Sequence, residues 1–118
     1  MSYVDGFVFA VLEAKMPDYK KLANKAGKIW LECGALSYVE CAADDVPVGK
    51  LTSFPKAVKL KPGEIVVFSW IVYKSRAHRD RVMKKVMADP RMKLEMTKDM
   101  PFDGKRMIWG GFKPIVEM

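Results

Sequence analysis

Two segments of this chain, 3–12 and 65–73, are hydrophobic on both of the alternating sets of side chains that a β-strand presents. In the first, Phe7, Phe9 and Val11 alternate with Val4, Val8 and Leu12; in the second, Val66, Phe68, Trp70 and Val72 alternate with Ile65, Val67 and Ile71. A strand of this kind needs cover on both faces, so both are expected in the middle of a sheet. That requirement limits the folds open to the rest of the chain.

Between and after these strands the period changes. From Pro17, suited to a first helical turn, to about Cys33, the residues Tyr19, Leu22, Ala23, Ala26, Ile29, Trp30 and Cys33 fall on one helical stripe, and Gly34 stops the helix. Residues 35–42 read as a strand with Leu36, Tyr38 and Glu40 opposite Val39 and Cys41, a mixed pattern that suits a sheet edge. Ser75 is placed to cap a second helix reaching about Asp89, where Pro90 disfavours simple continuation, and a further helical turn fits the residues through Met96. Residues 105–113 close the chain as a strand whose Gly110 and Gly111 suit an edge or a close approach of another group.

The order βαββαβ predicts an α+β fold of ferredoxin-like type with an antiparallel four-stranded sheet, in which the first and third strands are central. Two helices cover only one face of such a sheet. The other would expose an apolar patch larger than soluble monomers usually carry, and a two-fold copy of the same sheet is the economical cover, so a homodimer is expected.

A chain of 118 residues, half of them hydrophobic, sustains one core and one domain without metals or disulfides. No apolar run reaches the ~20 residues of a transmembrane helix, and the acidic N-terminal stretch lacks a signal-peptide pattern, so a soluble, cytoplasmic protein away from membranes is expected. The net charge of +7 is spread over both helical segments without a basic run or interleaved aromatics, which argues against nucleic-acid binding. Cys33 and Cys41 are too far apart for a zinc or redox pair, and a single His cannot found a His-based metal site, so neither metal nor cofactor is expected. Gly-rich phosphate loops and nucleophile elbows are also missing from the sequence.

Four residues are candidates for ligand binding: Asp5, Glu40, Trp70 and Arg79. Asp5 shares the face of Phe7 and Phe9, where a carboxylate needs a partner, unless it sits at a frayed strand start. Glu40 alternates with Tyr38 and points either into a pocket or, from an edge strand, out to the dimer rim. Arg79 lies on the helical stripe of Val82, Met83 and Val86. There it either pairs with Asp5, Glu40 or a bound acid, or snorkels with its head in water. Trp70, beside Ser69, is a candidate pocket wall, whereas His78 maps to the polar face of its helix and is expected in solvent.

Two loops add to this. The segment 43–64 is longer than a hairpin needs and reads as a flap or dimer arm, or as holding an extra strand near 52–60. In PFDGKR, residues 101–106, Asp103 and Arg106 are expected to close a turn rather than rim a site.

The stretches YVDGF (3–7), ECAADDVPVGK (40–50), FSW (68–70), DPRM (89–92) and MPFDGKRMIWGGF (100–112) resemble the YbaA-like bacterial family over nearly the whole chain. That resemblance implies a dimeric α+β barrel, two sheets packed face to face with helices outside, and leaves the chemistry open, since this fold hosts many functions. The reading that results is a dimeric small-molecule binding protein, or a cofactor-free enzyme, with a pocket between helices and sheet. The alternative is a protein-interaction or stress-associated module acting through its long loop or Met-rich helix.

Overall fold

The computed structural model describes residues 2–96 and 98–118. Strands β1 (Tyr3–Leu12), β2 (Ser37–Ala42), β3 (Glu64–Tyr73) and β4 (Ile108–Phe112) form one antiparallel sheet in the order β2-β3-β1-β4. The two doubly apolar strands are therefore the central pair, and the strands carrying charge and glycine are the edges. Between them Tyr3 faces Tyr73, Phe7 faces Ser69 and Val11 faces Ile65, so a single register aligns the helix-facing residues of both.

Helix α1 (Met16–Glu32) follows a 3-10 turn at Glu13–Lys15 and ends where its stripe predicts. Its Ile29 and Trp30 join Tyr3, Ile71 and Tyr73 of the sheet and Val82 and Val86 of α3 (Arg76–Ala88) in the largest part of the core. A second part, Phe9, Val11, Tyr19 and Val67, extends the same layer toward Phe102 and Met107. Ser75 caps α3 by accepting the His78 N–H at 3.1 Å. Asp89 then ends α3 in extended backbone, and its carboxylate accepts the Arg91 N–H at 2.8 Å, starting the separate helix α4 (Pro90–Met96).

The long loop differs from the expectation of an extra strand. It contains a short helix, α2 (Phe54–Ala57), capped by Ser53 and held by the Lys56 ammonium on the Gly49 and Lys50 carbonyls. Val58 and Leu60 behind it pack on Ala10 and Val66, so the loop covers one end of the sheet face opposite the helices. The uncovered apolar area is thus smaller than two helices alone would leave. At the other end of that face Phe68, Ile108 and Phe112 remain exposed around Val4, Gly6, Val8 and Trp70.

Arg106 fixes the base of this loop. Its guanidinium donates to both oxygens of Glu64, at 2.8 and 2.6 Å, to the Lys59 carbonyl at 3.1 Å, and through Nε to Asp103 at 3.1 Å. Asp103 also accepts the Lys105 N–H at 3.0 Å, so the PFDGKR turn is structural, as its residues suggested.

Candidate ligand-binding site

Between α1, α4 and the helix-facing side of the sheet lies a cavity of about 190 Å³. Aromatic and aliphatic side chains line most of it, among them Phe7, Phe9, Trp30, Phe102 and Met107. For scale, an engineered apolar cavity of ~150 Å³ admits benzene, so this one has room for a substituted single ring.

The polar lining of this cavity comes from Glu40, Ser69 and Glu95, of which Glu95 is engaged by Lys25 at 3.6 Å and Lys98 at 3.1 Å. In register Glu40 stands opposite Ser69, whose neighbour across the sheet is Phe7, so the alternation of β2 turns its side chain inward. Its two oxygens each accept a phenol hydrogen bond: Tyr19 Oη donates to Oε1 and Tyr38 Oη to Oε2, both at 2.7 Å. Burial, with the Glu40 carboxylate next, pushes both phenols far above the ordinary tyrosine range, so they stay protonated and act as donors.

Each phenol is placed by a local choice in the sequence. Tyr19 sits on the apolar stripe of α1 and packs edge-on against Phe9 and Phe102, with ring centres 5.6 and 5.9 Å away. Tyr38 lies two residues before Glu40 and so shares its face. Its ring fits because α1 has glycine at position 27, where a Cβ would stand 2.9 Å from the ring. The pair of tyrosines was the part of the site that the sequence reading missed; the signal for it was Tyr38 at i−2 from Glu40.

Asp5 and Arg79 lie elsewhere. Asp5 is fully buried, paired with Ile71 and Gly111 in mid-strand register, so it is not at a frayed end. It accepts a 2.9 Å hydrogen bond from Tyr73 Oη, and its Oδ1 is 3.6 Å from Arg79 Nε. Burial pushes its carboxyl up, against the Tyr73 hydrogen bond and the Arg79 charge. Arg79 does not snorkel: its side chain is 13% exposed, and it donates to Tyr3 Oη at 3.2 Å across the end of β4. Neither Asp5 nor Arg79 lines the cavity, because their own ion pair ties the start of α3 to the sheet.

Trp70 alternates with Ser69 and Ile71, and its ring stands on the opposite face, 5.7 Å from that of Phe68. It meets the cavity from its strand position and is not an inward-facing ring. His78 is also less exposed than expected: Nδ1 accepts the Lys74 N–H at 2.9 Å and the ring packs edge-on against Tyr73 at 6.1 Å. Among the described residues, no three His, Cys, Asp or Glu side chains gather where a metal ion could bind.

Residues 2–104 match the model of a family described as "Protein of unknown function (DUF1428)". The chain belongs to the DUF1428 family. Within DUF1428 terms it is 55% identical to the uncharacterized protein YbaA of Escherichia coli K12 over 117 residues, 99% of each chain. Among solved structures it is similar to a NIPSNAP family protein from Agrobacterium tumefaciens, with a TM-score of 0.62, 18% identity and coverage of 96% of this chain and 85% of that one. It is also similar to SnoaB, a cofactor-independent oxygenase from Streptomyces nogalater, with a TM-score of 0.57, 14% identity and coverage of 99% and 96%. These likenesses establish the α+β ferredoxin-like fold of this DUF1428 member. No helix among its described residues is long and apolar enough to cross a membrane.

Proposed function

We propose that this DUF1428 protein binds a small, mostly apolar molecule of single-ring size, which presents one hydrogen-bond donor to Glu40. The observation that supports this reading is the Glu40 carboxylate in an apolar wall, with one bond from each of two phenols and unused lone pairs on both oxygens. A cavity lined this way is held by packing, and its other carboxylate, Glu95, is already engaged by Lys25 and Lys98. Asp5 and Arg79 lie outside the site in this reading and hold α3 to the sheet.

The working form is a homodimer. Phe68, Ile108 and Phe112 form an exposed apolar area on the loop-free end of the sheet, and a second copy of that surface is a self-complementary cover. The free cysteines Cys33 and Cys41 suit a reducing cytoplasm.

Calorimetric titration with p-cresol and with toluene tests the site. Wild-type protein binds both, and Glu40→Gln weakens p-cresol roughly tenfold, about 1.4 kcal/mol, while leaving toluene unchanged. Equal loss for both ligands, or no heat from either, would remove the reading.

A further inference from the structure

Glu40 separates two chambers. On the far side of the Tyr19, Glu40 and Tyr38 wall lies a second, wider cavity of about 320 Å³ between α1 and β2, lined by Lys20, Asn24 and Cys41. Lys20 and Asn24 are exposed, so this outer chamber opens to solvent, while the inner one is walled mainly by hydrophobic rings and methionines. Tyr19, Ala23, Tyr38 and Glu40 line both chambers, and Glu40 is the only carboxylate of the four.

We infer that Glu40 is a proton acceptor working between the two chambers, and that the ligands of the inner one are weak acids, phenols and enolisable carbonyl compounds above all. The inference rests on the binding reading above and deepens it. In the step proposed, the acidic O–H or α-C–H bond of the ligand breaks, its electron pair stays on the ligand as phenolate or enolate, and the proton forms a bond to a Glu40 oxygen. Water in the outer chamber then takes that proton, or returns one by the reverse path, so no oxidant, reductant or second substrate is needed.

The geometry meets the demands of such a base. A carboxylate held in a mainly apolar wall is a general base of proven type, and its fixed orientation removes the cost of finding it. Tyr19 and Tyr38 are positioning residues here: one hydrogen bond on each oxygen fixes the carboxylate plane across the wall.

Deuterium incorporation into 2-indanone, followed by proton NMR in heavy water with the full chain, tests the inference. Wild type should bind the ketone and speed α-exchange on the order of 10²-fold over buffer. Glu40→Gln should bind it with similar affinity and exchange at the buffer rate. Asn24→Trp, which plugs the outer chamber from an exposed position on α1, should slow exchange without weakening binding. Binding without acceleration would overturn the proton-transfer role and leave the binding reading intact. Undiminished exchange in Glu40→Gln would overturn it as well, and so would absence of 2-indanone binding, while the p-cresol and toluene titrations decide the binding reading separately.

Discussion

The guanidinium of Arg79 and the carboxylate of Asp5 meet beneath Gly111, with Arg79 Nε 3.6 Å from Asp5 Oδ1, at a place where strand β4 has no side chain to separate them. A Cβ at Gly111 would lie 2.7 Å from an Arg79 nitrogen and closer still to Tyr3 Oη. Two atoms of the pair, Asp5 Oδ1 and Arg79 Nε, are buried without a hydrogen bond, so the pair depends on charge and on its surroundings remaining closed.

Arg79→Met is expected to lower stability by about 3 kcal/mol, because it leaves the Asp5 charge buried and unpaired. Gly111→Ala should cost about 1–3 kcal/mol by crowding Tyr3 and Arg79. Both are read from urea unfolding midpoints. Because neither residue lines the cavity, p-cresol affinity should stay as in wild type, and a change in affinity at full stability would contradict the placement of this pair.

Acid should destabilise the fold in part through Glu64. The Arg106 hydrogen bonds hold its carboxyl down to about 2, below its ordinary 4.5, so the folded state binds this proton less readily than the unfolded chain does. The stability it contributes is complete above pH 4.5 and is lost as the pH falls toward 2. Glu64→Gln should lose about 1–3 kcal/mol at neutral pH and show a flatter decline between pH 5 and 2, as seen in unfolding curves taken across that range.

Association should follow the open end of the sheet. Wild type is expected to sediment at twice the 13.4 kDa chain mass at micromolar concentration, and the double substitution Phe68→Glu with Phe112→Glu to sediment as one chain. Both side chains are exposed in the single subunit, at 43% and 64%, so the variant should fold as well as its parent. A wild-type monomer would remove the dimer proposal.

Much of the architecture was legible because it depends on period. The alternation of β1 and β3 is visible residue by residue, and a strand that is apolar on both faces has no stable place at a sheet edge. The cap at Ser75 and the break at Pro90 are equally local, since each depends on groups a few residues apart. The helix at Phe54–Ala57 was not legible in this way: a few residues carry no periodic signal, and contacts distant in sequence, of Val58 with Ala10 and Val66 and of Arg106 with the Lys59 carbonyl and Glu64, help give the loop its shape.

The site divides along the same line. Asp5, Glu40 and Arg79 stand out in sequence because a charge on an apolar stripe must be accounted for, and the pairing of Asp5 with Arg79 follows from that need once the elements are placed. That Glu40 bonds to Tyr19, 21 positions away, was fixed only when α1 crossed the sheet over β2. Sequence by itself determined which faces must be buried, since hydrophobic period is a property of neighbours along the chain. Tertiary structure decided which polar groups share a wall, because a hydrogen bond of 2.7 Å depends on how a helix lies across a strand.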